Sequence, residues 1–314
     1  MTLQYDVNQT PTSGSSAIVQ LVTVLSSANW TVHAYGDGSS RVGTGALPTA
    51  TQMSNSSSWI AMKAPSGNHT ITFQRGTNNT LWWLAYTFGG LQTDGNGLIV
   101  DSPVTASDRK DFFNNGSDTV PGVLFPADNV SGSFRFNVVA SDTTPYNWHA
   151  NAWNITTGES RTLIYFEGLT VHTNDPARYV VFAEYRTSSP WAGMRELMSH
   201  STSTRGRTWH AKGLGAATWT KAVPLCYIAV DGVYPFPRQL SANPFDGNDD
   251  LAPPVYITTY SGGYYYFKGV GTLFMWSGIS RATGDTFDIV GETDDRVCIG
   301  DTAFPWPHGI PALV

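Results

Sequence analysis

Charge is what this chain has least of: 18 basic and 24 acidic side chains make up 13% of its 314 residues, against roughly 25% in an ordinary soluble domain. Its surface must therefore be made polar by uncharged Ser, Thr, Asn and Gly, which suit turns and half-buried strands better than surface helices. A mainly-β protein follows. The shortage of Lys and Arg, with a net charge of −6, excludes a nucleic-acid binder, because phosphate contacts need clustered cations. Arg205 and Arg207 with Lys212, and the pair Arg109-Lys110, are too small for a basic tract.

Other absences narrow the chemistry. The two cysteines, Cys226 and Cys298, have no CxxC or Cys/His companion and read as buried thiols. No apolar run reaches the roughly 18 residues of a spanning helix, and the opening MTLQYDVNQT has neither the basic region nor the apolar run of a signal peptide. A soluble product made in the cytoplasm is expected. There is no G-x-S-x-G elbow, Walker A loop or H-E-x-x-H. Gly213-Leu214-Gly215 and Gly269-Val270-Gly271 lack the third glycine of a dinucleotide fingerprint. The seven histidines, His33, His69, His149, His172, His200, His210 and His308, are dispersed without metal-ligand spacing. Asp246, Asn248 and Asp250 begin a D-x-N-x-D calcium loop, but Leu251 and Ile257 stand where its glycine and glutamate belong, so an exposed acidic turn is expected. Glu167, Glu184 and Glu292 are carboxylates for which nothing indicates a catalytic pairing. No enzyme, metal or cofactor is expected.

What is present is enough apolar surface for a core, 41% of residues with 13% aromatics. After Thr10-Pro11-Thr12-Ser13-Gly14, serine caps precede Ala17 to Ala28, where Ile18, Leu21, Val22, Leu25 and Ala28 fall on one helical face and Gln20, Thr23 and Ser27 opposite. This predicts, as the first structured element, an amphipathic helix packed on a sheet. A membrane-surface helix would need Lys and Arg on its polar face. From Trp30 the period becomes two, with strands at Trp30–Tyr35, Trp59–Ala64 and Thr70–Arg75. A turn at Gly76-Thr77-Asn78-Asn79 leads back through Leu81–Thr87 as a hairpin. Further strands are expected around Phe134–Val138 and at Arg161–Glu167, Arg178–Tyr185, Cys226–Val230, Val255–Tyr260 and Tyr264–Val270, with a second helix from Ser188 through Met198. The fold class is mainly β (α+β), antiparallel sheets in β-sandwich-like lobes. The turn-rich stretch 103–122 divides a helix-plus-meander lobe, 1–105, from a larger β lobe, 106–314. After Asp301 the three prolines of AFPWPHGIPALV cannot continue a central strand, and an extended arm is expected, lying on its own subunit or across a neighbour.

Eleven tryptophans and fourteen tyrosines exceed what a core alone requires, and such rings among Ser, Asn and Gly are what interfaces and sugar-binding faces use. Tyr264, Tyr265 and Tyr266 put rings on both faces of one strand, so one face meets solvent, a ligand or another subunit. Together with Trp82, Trp83 and Trp306 they are the candidate interface or ligand-facing residues.

The segment WTVHAYGDG from Trp30, the Trp59-Ile60 strand, TFQRGTNNTLWWLAYT from Thr72 and the preceding helix together resemble the N-terminal pattern of uncharacterised virion structural proteins of tailed bacteriophages. The resemblance covers about residues 15 to 105 and, more loosely, the strand at Thr162–Phe166. It implies a neck, tail or baseplate component without catalytic residues, located in the virion and assembling as a homo-oligomer with other virion proteins. A host-surface adhesin whose aromatics stack on glycans is the alternative, and a polysaccharide-degrading enzyme a more distant one.

Overall fold

The computed structural model describes residues 2–37, 41–55, 58–66, 69–75, 81–88, 123–125, 134–143, 146–155, 160–167, 169–170, 180–187, 209–212, 220–224, 250–251, 256–260, 264–268, 273–276, 284–288, 291–299 and 302–312. They are strand-rich, with antiparallel sheets and one helix. In chain order the elements are β1 (Leu3–Gln9), α1 (Gly14–Ser27), β2 (Thr31–Gly36), β3 (Arg41–Gly43), β4 (Trp59–Lys63), β5 (His69–Arg75), β6 (Leu81–Phe88) and β7 (Val123–Phe125). They continue with β8 (Phe134–Ser141), β9 (Trp148–Asn154), β10 (Ser160–Glu167), β11 (Leu169–Thr170), β12 (Val180–Thr187), β13 (Trp209–Lys212) and β14 (Thr220–Pro224). The last are β15 (Asp250–Leu251), β16 (Tyr256–Tyr260), β17 (Tyr264–Lys268), β18 (Leu273–Trp276), β19 (Thr286–Phe287), β20 (Asp295–Ile299) and β21 (Thr302–Trp306). The expected helix over Ser188–Met198, the strand at Cys226–Val230 and the connection at 103–122 lie outside the described residues.

Three sheets result: β1-β8-β9-β10-β12-β13-β14-β16-β17-β11, β3-β2-β4-β5-β6-β7, and β15-β18-β21-β20-β19. The expected hairpin is present, β5 pairing antiparallel with β6 from His69↔Phe88 to Arg75↔Leu81. The chain opens with a strand, not the helix expected first. β1 pairs antiparallel with β8, Leu3 opposite Ser141, through a register shift between Asp6 and Gln9 where Asn8 takes a positive φ of 59°.

Local chemistry sets the limits of α1. Ser13 is its N-cap: the Ser16 N–H donates to Ser13 Oγ at 3.1 Å and the Ser13 N–H donates to Ser16 Oγ at 3.0 Å, a reciprocal capping box that starts the helix three residues before the expected Ala17. At the other end Asn29 adopts a positive φ of 69°, its N–H reaching the Ser26 carbonyl and that of Trp30 the Leu25 carbonyl. This Schellman ending places Trp30 beyond the helix and turns the chain into β2. Thr23 and Ser27 stay exposed while Ala17, Ile18, Leu21, Val22, Val24 and Leu25 are buried.

Those helix residues belong to one hydrophobic cluster with Val32, Ile60, Met62, Ile71 and Phe73 and also with Phe136, Val138, Ala140, Trp148, Ala150, Ala152 and Tyr165. The cluster therefore takes residues from both sides of the expected 105/106 division. Its aromatic centre is Tyr165, stacked on Trp148 at 5.8 Å and edge-on to Trp30 at 5.1 Å.

The Pro-rich tail departs most from expectation. Residues 302–306 form β21, an interior strand between β18 and β20. Pro305 lies opposite Arg296 of β20, and the described pairing with β18 covers Thr302 and Ala303. Among the described residues no helix is long and apolar enough to cross a membrane.

Candidate functional site

Side chains alternate along a strand, so β8 and β9 present two faces. Phe136, Val138, Ala140, Trp148, Ala150 and Ala152 supply the hydrophobic cluster. The alternate residues Asn137, Val139, Ser141, His149 and Asn151 are also buried, although four of the five are polar. A sheet face that is polar and yet covered requires explanation, because each buried polar atom without a partner costs about 1–3 kcal/mol.

The register sets Asn137 opposite Asn151 and Val139 opposite His149. Asn137 Nδ2 donates to Asn151 Oδ1 at 2.9 Å, and the Asn8 N–H of the β1 bulge donates to Asn137 Oδ1 at 2.6 Å. The C-terminal segment meets this face at two points: Asn8 Nδ2 donates to the Pro311 carbonyl at 2.9 Å, and the Phe304 ring lies 5.0 Å from that of His149. The network is incomplete, since Asn8 Oδ1, His149 Nε2 and Asn151 Nδ2 have no hydrogen-bond partner. Burial pushes His149 down to about 3, so its ring is neutral at pH 7.

The tail is held at its far side by Asp295, the first residue of β20. His308 Nδ1 lies 2.6 Å from Asp295 Oδ1, and the Gly309 N–H donates to Asp295 Oδ2 at 2.9 Å. Gly309 has a φ of +72°, which a side chain would strain. Burial opposes ionisation of Asp295, but the bonds from His308, the Gly309 N–H and Asp288 outweigh it and hold the carboxyl below its ordinary value. The same bond with Asp295 raises His308, whose ring is otherwise open to solvent. Behind this pair Arg296 is buried and joined to Glu292. One ligand-type atom from each of Asp288, Asp295 and His308 lies within 4.8 Å of the others, a donor set of the kind divalent cations use. Both Asp295 oxygens already accept bonds from the 307–310 turn, so the arrangement acts as the clamp of that turn.

Of the candidate aromatics, Trp306 is fully buried and donates its indole N–H to the Ile310 carbonyl at 2.6 Å. It anchors the tail to its own subunit and does not face outward. Trp82 and Trp83 sit in β6 in register with Gln74 and Phe73, and Tyr264, Tyr265 and Tyr266 in β17 with Tyr260, Thr259 and Thr258. The structure does not bring these two groups onto neighbouring strands. Asp250 belongs to β15, opposite Trp276, and Asp246 and Asn248 lie outside the described residues. Glu167 and Glu184 are in register with Val180 and Leu163 on the β10–β12 pair, and Glu292 lies in the loop before β20. Cys298 is in β20, opposite Ala303.

Sequence reasoning missed the Asn137–Asn151 face and the Asp295–His308 clamp. The first left a trace, His149 and Asn151 two apart in WHANAW and Arg135 and Asn137 two apart in FRFNVV. The second left none, as it depends on how two strands pair. No family model, curated protein or solved structure matches this chain.

Proposed function

We propose that this chain is a structural subunit of a tailed-bacteriophage particle, a repeated neck, tail or baseplate component whose function is symmetric assembly with copies of itself and with other virion proteins. The observation that carries the reading is the antiparallel architecture, in which β1 and β3 end their sheets among the described residues. A terminal strand is a template for pairing with a neighbouring chain. In this reading the six-stranded and ten-stranded sheets form a β-sandwich-like lobe, with α1 packed as a brace between them; their shared hydrophobic cluster supports that arrangement. A low-charge surface suits repeated contacts between copies, and the resemblance at residues 15–105 points to the same class. Immunogold labelling of purified particles with antibody to this chain tests the proposal: gold confined to one place on the particle is expected, and unlabelled particles would contradict it.

A glycan-binding adhesin is favoured by one separate observation. The β16–β17 register sets Tyr260 opposite Tyr264 and puts Tyr265 and Tyr266 directly after it, concentrating tyrosine on one hairpin. Aromatic platforms of this composition stack on sugar rings. Glycan-array binding that disappears in Tyr265→Ala would select this reading over pure assembly.

A further inference from the structure

The C-terminal segment lies over a face ill suited to permanent cover. His149 is 3% exposed, its Nε2 has no partner, and the Phe304 ring of β21 rests against it. Asn151, two residues along the same strand, is buried with Nδ2 unsatisfied, and Asn8 Oδ1, beside the Pro311 contact, is unsatisfied as well. The tail meets this face through Phe304 against His149 and through Pro311 against Asn8, so its departure would uncover His149. The segment is held by Trp306, by its pairing with β18 and β20 and by the Asp295 clamp, and opposed by the buried imidazole it covers.

We propose that residues 302–312 form an acid-releasable strap, in which protonation of His149 favours the uncovered state and frees the C-terminal strand from β18 and β20 while α1 and its hydrophobic cluster persist. The imidazole is the right trigger because it alone among these groups gains a charge in the mildly acidic range. Among the described residues no charged side chain is in register with His149 to balance the added charge in the covered state. The residues in register or contact with His149 are Val139, Ile164 and Phe304. Charged residues of the neighbouring strands occupy other register positions: Asp6 opposite Val138, Arg135 opposite Trp153, Arg161 opposite Ala152 and Glu167 opposite Val180. Burial is the only cause acting on the ring.

The clamp works in the opposite sense, and the signs decide which wins. His308 is raised by Asp295, so its contribution is fully present below the ordinary histidine value and is lost as pH rises through its folded value. Acidification therefore tightens the clamp only until His308 is fully charged, with Asp288 and Asp294 adding to its positive bias. His149 is lowered, so the covered state loses ground continuously as pH falls from 6.5 toward about 3, and the drive toward opening grows by up to about tenfold per pH unit. Between pH 6.5 and about 3 the His149 drive grows, while the His308 contribution stops growing once that ring is charged. Below the lowered value of Asp295 the clamp is lost too.

The test is hydrogen exchange by mass spectrometry on the full chain between about pH 7 and about pH 4.5, corrected for intrinsic exchange, with α1 as internal reference. Exchange of residues 302–306 is expected to accelerate by up to about tenfold per pH unit while α1 keeps its protection. In His149→Leu, or in His149→Gln should the first variant fold poorly, that acceleration should vanish. Tail exchange independent of pH, an equal acceleration in the variant, or simultaneous loss of protection in α1 would each overturn the strap.

Discussion

Trp306 is the residue on which the tail depends. Its indole is fully buried and its only polar atom is satisfied by the Ile310 carbonyl 2.6 Å away. Truncation to alanine removes a large ring from a closed site and is expected to lower stability by about 3–5 kcal/mol, read as a reduced denaturation midpoint in urea. A loss below about 1 kcal/mol would mean the ring is not the anchor described, since exposed substitutions fall in that range. His149 shows how one position can serve the fold and oppose it. At pH 7 it is a neutral ring against Phe304, and it becomes a liability only when protons are available. From the sequence it is one of seven scattered histidines, because burial of an imidazole follows from strand pairing and not from its neighbours along the chain.

Elements were legible in proportion to how local their causes are. The helix is written in its own segment, in the spacing of Ile18, Leu21, Val22 and Leu25 and in the serines that cap it. Replacing Ser13 with alanine removes the cap bond to Ser16 and is expected to cost about 1 kcal/mol, measured by thermal melting followed at the helix signal. An unchanged melt would show that the capping box carries no weight. β1 was overlooked although Leu3, Tyr5 and Val7 alternate with Gln4, Asp6 and Asn8; its partner β8 lies more than a hundred residues away, so nothing nearby in the chain marks the pairing. β21 was hidden by Pro305 and by Pro307 and Pro311 after it, which read as strand breakers along the sequence. The consequence reverses a natural expectation for a terminal arm: removing residues 302–314 takes an interior strand together with Phe304, Trp306 and Ala312. Deletion is therefore expected to dismantle the β15-β18-β21-β20-β19 sheet while α1 keeps its packing, giving a lower melting temperature. A truncated chain that melts like the full one would contradict the strand's structural role.

At the scale of the whole molecule, the sequence's low charge and high aromatic content pointed to a β protein that works through its surfaces, and the described residues are antiparallel sheets in which β1 and β3 are terminal strands. Two features were beyond the reach of composition or period. One is the hydrophobic cluster that draws α1, β2, β4 and β5 together with β8, β9 and β10. The other is the meeting of both chain ends, Asn8 and Pro311, at one place. Both depend on long-range pairing, which also places the candidate strap over β9. The claim of a repeated particle subunit is tested most directly by quantitative mass spectrometry of density-gradient-purified particles, measuring this chain against the major capsid protein. The account predicts a constant ratio across preparations, set by the symmetry of a ring or sleeve; a chain absent from particles and recovered free in the lysate would contradict it.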